Sequence, residues 1–223
     1  MLSRTHVINK VLKYITMKEI IIVGAGGFGR EALYLIKEID NPNWTIKGFI
    51  DDNLNALDGI ECEYKVIGSI RDWKPKDNEV FAIGIASSRA KEAVTKLLKE
   101  KNAKFVTLIS PKANVYKYSE FGEGCIVTSG SMIGDCVKIG NFVNIASAMI
   151  GQDSTIDDYS TITGYVNVAS AHIGKRVFIG SHSVILHGRK IGDDVFVCAG
   201  SIVFNHIKPS TKVFGNPAKK ANF

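Results

Sequence analysis

The stretch IGDCVKIGNFVNIASAMIGQDSTIDDYSTI, residues 133–162, sets an aliphatic residue at Ile133, Ile139 and Ile145, then at Ile150, Ile156 and Ile162. Within each run the step is six residues; between the runs it is five. Working outward, the ladder starts at Val115, Phe121 and Val127 and continues through Val168, Ile173, Ile179, Ile185, Ile191, Val197 and Val203. A helix repeats every 3.6 residues and a simple strand every two, so neither keeps a six-residue beat over roughly ninety residues. A fixed short period marks a solenoid, whose units bury their apolar face only by stacking on one another. Three six-residue strands close one triangular coil, so the sixteen ladder positions amount to about five coils of a left-handed parallel β-helix. Glycine often follows the ladder residue, as in IGDCVK, IGKRVF and IGDDVF, where a small residue is expected to permit the corner.

Ahead of Ser110-Pro111 the pattern changes. KEIIIV is a β-branched run of strand length, followed by Gly24-Ala25-Gly26-Gly27-Phe28-Gly29 and then by REALYLIKEI at helical spacing. A GxGxxG loop between strand and helix lets the backbone approach a ligand and turns free N–H groups toward phosphate. The next strand, TIKGFID, delivers Asp51 and Asp52, placed to accept hydrogen bonds from a ribose or a base. EVFAIGI ends a third strand at Gly84, a helix is expected from about Arg89 to Lys101, and KFVTLI gives a fourth strand. The alternation predicts a small Rossmann-like α/β domain over 18–109, followed by the all-β β-helix over 110–223. So short a domain suits a mononucleotide-type ligand better than NAD. Residues 1–17 read as an extension ahead of a natural start at Met17, the alternative being a short amphipathic helix.

Hydrophobic residues make up 45% of the chain and charged ones 22%, the balance of an ordinary globular protein, with no segment long and apolar enough for a membrane span. The net charge of +6 is spread along the chain, which argues against nucleic acid and fits acidic ligands such as phosphates. Cys62, Cys125, Cys136 and Cys198 lie far apart without a CxxC, as expected of reduced thiols in a cytoplasmic protein. The last three fall in repeats and read as small fillers of core or corner. Asp157-Asp158 and Asp193-Asp194 recur at corners, where Asp supports tight turns. Trp44 and Trp73 read as packing residues of the first domain.

Taken in order, IIIVGAGGFGRE, the GFIDD strand, the AIG strand end, the hexapeptide coils and a terminal GNPAK resemble the NeuD/PglD-type bacterial nucleotide-sugar acetyltransferases, over roughly residues 18–220. The resemblance implies an acyltransferase that moves an acetyl group from acetyl-CoA to an amino or hydroxyl group of a nucleotide-linked sugar, in surface glycan synthesis. It implies a homotrimer, with acetyl-CoA lying along the β-helix between two subunits and contacting positions near Thr161, Ser181 and Ala199. It also implies that the nucleotide sugar is held by Gly26, Gly27 and Phe28, by Asp51 and Asp52, and at Gly84. The family's catalytic histidine, oriented by a following acid, falls here on Gln152, with the acid kept as Asp153. The family's usual second histidine falls on Thr161. Glutamine is no base near neutral pH, so either the amine arrives neutral, or Asp153 acts through water, or the activity differs. A non-catalytic relative that only binds the nucleotide sugar is one such alternative.

The spacing of His182 and His187 resembles the γ-class carbonic anhydrases, which implies a metal-dependent alternative with three imidazoles around zinc. Against it, His182 follows Ile179 by three positions where that class places its histidine by two, and His172 is too near in sequence to be the usual first ligand. No metal site is therefore expected. His206 reads as a solvated or corner residue, and His6 falls in the extension.

Overall fold

The computed structural model describes residues 17–221, so the proposed N-terminal extension lies outside the described residues except for Met17. The chain opens with β1 (Lys18–Val23), whose last four residues are buried, and α1 (Gly27–Ile39), which turns Ala32, Leu33, Leu35 and Ile36 inward. β2 (Trp44–Ile50), β3 (Val66–Gly68), β4 (Glu79–Ile83) and α2 (Ser88–Glu100) follow. The four strands form one parallel sheet in the order β3-β2-β1-β4. The order reverses between β1 and β4, and such a switch point leaves a crevice beyond the carboxyl ends of the strands. Trp44 and Trp73 pack in this domain as expected, and the Trp73 indole also donates to Glu79 at 3.1 Å.

KFVTLI does not become a full strand of that sheet. Phe105 makes a single parallel bridge to Phe81, held by Phe81 N–H donating to the Lys104 carbonyl at 2.8 Å and Val106 N–H donating to the Phe81 carbonyl at 3.0 Å. The Thr107 hydroxyl then donates to the Gly122 carbonyl at 3.0 Å, and β5 (Leu108–Ile109) pairs with Ile126–Val127 of the solenoid. One extended segment thus ends the first sheet and begins the second structure.

From β5 onward the chain winds into a parallel β-helix of two-residue strands. Each rung pairs with the rung a coil away, for example Ile145 with Ile162, Ile150 with Val168 and Ile139 with Ile156. Three sheets result: a first that begins at β5, a second through Met149–Ile150 and a third through Thr155–Ile156. The ladder residues point inward and form one continuous buried core. The prism extends the ladder read from the sequence by β5 at its start and by Lys212–Phe214 at its end, where Lys219–Lys220 folds back antiparallel.

The corners correct one expectation. The glycine after the ladder residue has no unusual φ; the left-handed backbone falls two residues later, at Cys136, Phe142, Asp153, Tyr159, Tyr165, Arg176, His182 and Asp194 as well as at Gly124, Gly130, Gly188 and Gly200. What the glycine provides is clearance. A Cβ on Gly134 would stand 2.6 Å from the Gln152 nitrogen, and one on Gly180 would stand 2.5 Å from the Ala199 nitrogen, both on the next coil. At the two five-residue steps Ser147 and Ser170 take the left-handed position instead.

Candidate functional site

The glycine loop sits at the switch point and divides into two sets. Gly24, Gly29 and Gly84 pack on one another: a Cβ on Gly29 would meet the Gly24 carbonyl at 1.9 Å, and one on Gly84 would meet the Gly29 Cα at 2.5 Å. These residues let α1 seat tightly on β1 and β4. Gly26 and Gly27 are exposed with nothing near a built Cβ, so the start of α1 offers open backbone N–H groups at Gly26, Gly27 and Phe28. Gly84 thus supports the loop from beneath and is itself buried. Asp51 Oδ2 accepts the Ala25 N–H at 2.8 Å while Oδ1 accepts the Asn53 N–H at 2.8 Å, so this acid shapes the loop. Asp52 turns away and pairs with Arg71.

α2 seats the α/β domain on the first sheet of the prism. The Ser88 hydroxyl donates to the Val177 carbonyl at 3.3 Å, and the Asn144 amide donates to the Ile85 carbonyl at 2.9 Å. Thr161 is buried at this seam: its hydroxyl donates to the Ala86 carbonyl at 2.8 Å and accepts from Lys91 Nζ at 3.0 Å. Lys91 is fully enclosed, also donates to the Ser160 carbonyl at 3.1 Å, and burial pushes its amine down to about 7. Burial likewise raises the Cys125 thiol to about 11. At the rim Arg176 holds Asp194 in a two-pronged pair at 2.9 and 2.8 Å, which keeps that carboxyl below its usual range.

Gln152 and Asp153 are exposed at the corner between the second and third sheets. Asp153 borders a cleft of about 540 Å³ together with Thr155, Ser170, Ala171, His172, Gly188, Arg189 and Lys190. Across one rung the Thr155 hydroxyl is hydrogen-bonded to His172 Nδ1, and His172 Nε2 stands 3.7 Å from Asp157 Oδ2. Ser181 and Ala199 lie on a different corner, between the first and second sheets, one above the other; Ser181 Oγ is 3.2 Å from Thr163 Oγ1. The structure therefore gathers Gly26, Gly27, Phe28 and Asp51 at one place, Gln152 and Asp153 at a second, Ser181 and Ala199 at a third, and buries Thr161.

The sequence reading missed Lys91, and it missed Thr155 and His172 as a pair. The coil length was the available signal, since the 17 residues from Thr155 to His172 are one turn of the ladder. His182 and His187 stand on two corners, the former against the Tyr165 ring at 5.1 Å. Among the described residues, no three His, Cys, Asp or Glu side chains converge as a metal site would require. Asp158 Oδ1 and Asp193 Oδ1 accept backbone N–H groups of Asn141 and Lys175, a structural task at their corners.

Comparison with known proteins places these parts. Residues 19–98 match the PglD N-terminal domain, and residues 170–205 match the bacterial transferase hexapeptide (six repeats). The acetyltransferase domain of PglB from Neisseria gonorrhoeae superposes with a TM-score of 0.84 at 21% identity, covering 92% of this chain and 100% of that one. The order of these two matches, a PglD N-terminal domain and then hexapeptide repeats, is the order found in the NeuD/PglD-type hexapeptide sugar acetyltransferases, which the chain resembles. Within reach of this NeuD/PglD-type fold is also perosamine N-acetyltransferase from Caulobacter crescentus, solved as a His-to-Asn mutant with CoA and GDP-perosamine. It has a TM-score of 0.84 and 20% identity, and covers 93% of this chain and 98% of that one. WeeI from Acinetobacter baumannii shares 25% identity at a TM-score of 0.69, over 92% of this chain and 100% of that one. No protein of curated function matches the sequence. No helix among the described residues is long and apolar enough to cross a membrane.

Proposed function

We propose that this NeuD/PglD-like protein is an acetyl-CoA-dependent acyltransferase acting on an amino or hydroxyl group of a nucleotide-linked sugar for surface glycan synthesis. The observation that carries the reading is an open glycine loop at a switch point, fixed to the side of a hexapeptide prism. The solved perosamine transferase, in the presence of CoA and GDP-perosamine, has the same two-part architecture. In this reading the N–H groups of Gly26, Gly27 and Phe28 hold the diphosphate, Asp51 and, from beneath, Gly84 keep the loop in shape, and Asp52, held by Arg71, stands apart. Acetyl-CoA lies along the prism past Ser181 and Ala199, on the coils that bury Thr161, and brings the reaction to the cytoplasm where that thioester is available.

Chemistry falls to the corner of Gln152 and Asp153, where Gln152 replaces the family histidine. The domain that carries the loop is seated on the first sheet, whereas this corner lies between the second and third. The second sheet turns Met132, Met149, Asn167, Val184 and Ile202 outward, a stripe with one polar member that we assign to contact between copies in a homotrimer. A trimer would bring the loop of one copy to the corner of the next.

The test is incubation with acetyl-CoA and a panel of nucleotide-linked amino sugars, following thiol release. Turnover of one member is expected; a panel without any thiol release sinks the reading. A second reading rests on Gln152 alone: a protein that binds the nucleotide sugar without turnover. Nucleotide then raises the melting temperature while no thiol appears. Sedimentation is expected to give three chains per particle, and a monomer overturns the shared site.

A further inference from the structure

The third sheet presents Glu120, Lys138, Thr155, His172 and Lys190 outward, one above the other. A histidine on such a face is ordinarily a solvated rung. His172 differs in that one ring nitrogen is hydrogen-bonded and the other faces a carboxylate, and in where those groups lie. Nδ1 is hydrogen-bonded to the Thr155 hydroxyl, and Nε2 faces the Asp157 carboxylate at 3.7 Å. Thr155 and His172 both line the 540 Å³ cleft that Asp153 borders, with Arg189 and Lys190 on its far side. A hydroxyl and an imidazole thus stand at the cleft that Asp153 borders, next in sequence to Gln152, where the expected imidazole is missing; the Asp157 carboxylate lies behind the imidazole, outside that cleft.

We propose that His172 supplies the base that position 152 lacks, drawing the proton of the attacking group through the Thr155 hydroxyl. The proposal rests on the transferase reading above. The neutral amine of the sugar attacks the thioester carbonyl carbon of acetyl-CoA; the C–N bond forms and the carbonyl electron pair moves to oxygen. The N–H proton passes to Thr155 Oγ1 as the hydroxyl's own proton passes to His172 Nδ1. Asp157, whose carboxylate stands 3.7 Å from Nε2, favours a proton on that nitrogen and offsets the imidazolium charge through space. When the carbonyl re-forms, the C–S bond breaks and the CoA thiolate leaves. The proton held on His172 returns through Thr155 to that thiolate. Amide and thiol are the products, and nothing is oxidised or reduced. Thr155 meets the substrate, His172 acts through it, and Asp157 is a positioning residue.

The experiment uses the full chain with acetyl-CoA and the best acceptor of the panel. His172→Gln is expected to lower kcat about a hundredfold or more with KM for acetyl-CoA little changed, the size of a lost general base. Thr155→Val is expected to do the same and Thr155→Ser to keep most of the rate. Because Gln152 stands at the family's base position, adding Gln152→His to His172→Gln is expected to restore turnover, which a misfolded variant would not allow. Wild-type kcat in folded His172→Gln overturns the proposal, as does an acetyl group found on Thr155 by mass spectrometry, which would make that hydroxyl the nucleophile. Thiol release absent from the wild-type protein with every acceptor overturns the transferase reading, and this assignment with it. Release that is equal in both proteins overturns this assignment alone.

Discussion

Lys91 shows how a single residue records the packing of two structures. Its amine is enclosed between α2 and the first sheet, with the Ser160 carbonyl and the Thr161 hydroxyl as partners and no carboxylate. Burial lowers its folded pKa to about 7 from the ordinary 10.5. The unfolded chain therefore binds more protons above pH 7, and stability must rise with pH there. Between pH 7 and 8.5 the slope from this group approaches about 1.4 kcal/mol per unit. Below pH 7 the buried charge persists and its cost is felt in full. Lys91→Met, which leaves Thr161 bonded to Ala86, is expected to stabilise the protein at pH 7 by about 1–3 kcal/mol. That gain should shrink toward pH 8.5, as denaturant melts at the two pH values will show; a gain that grows with pH contradicts the assignment. Nothing in the sequence singled out this lysine among the charges of its helix. Lys91, Thr95 and Leu98 do share one helical face, yet two polar members out of three hid its burial.

The corner is the element that repeats, and it separates two demands that glycine usually meets together. At Gly140 the backbone φ is ordinary, but a Cβ would lie 2.8 Å from the Asp158 nitrogen of the next coil. Gly140→Ala is thus expected to cost roughly 1–3 kcal/mol by overpacking, although alanine loses less chain entropy than glycine. At Cys136 the φ of 55° is the left-handed one and the side chain is exposed. There Cys136→Gly removes a strain of about 1 kcal/mol and adds a similar unfolded-state entropy, so its net change is expected within about 0.5 kcal/mol of zero. Thermal melts of the two variants check the contrast, and a reversal of their order would undo it. The period of the ladder was fully legible because inward stacking allows only apolar residues. The turn position was not, since a sequence shows which residue is small but not which one carries positive φ. The same limit applied to the candidate site: Gly26 and Gly27 were read together with Gly84, and only the built contacts separate open glycines from packed ones.

At the scale of the whole molecule, the two parts share a core. Phe142 belongs to the β-helix by sequence, yet it is fully buried among Ile21, Val23, Phe81, Ile83 and Leu98 of the α/β domain. Its ring meets Phe105 edge-on at 5.0 Å, stacks on Tyr159 at 5.5 Å and lies under Lys99 at 4.7 Å. The change at Ser110-Pro111 showed two patterns, and the sequence had no means of showing that one would complete the hydrophobic core of the other. β5 ties them further, since the segment that bridges Phe81 goes on to pair with the first coil. If the α/β sheet borrows Phe142, it cannot melt before the coil that carries it. Calorimetry of the full chain is expected to show one transition, with the measured enthalpy matching the van't Hoff value. Phe142→Ala removes the shared ring and is expected to cost roughly 3–5 kcal/mol. Because the cavity opens at the seam, the loss should also loosen the grip of the prism on the domain that carries the glycine loop. The transition is then expected to move to lower temperature and to split, the α/β part melting first. A single unsplit transition at the wild-type temperature would show that the prism and the domain stand independently.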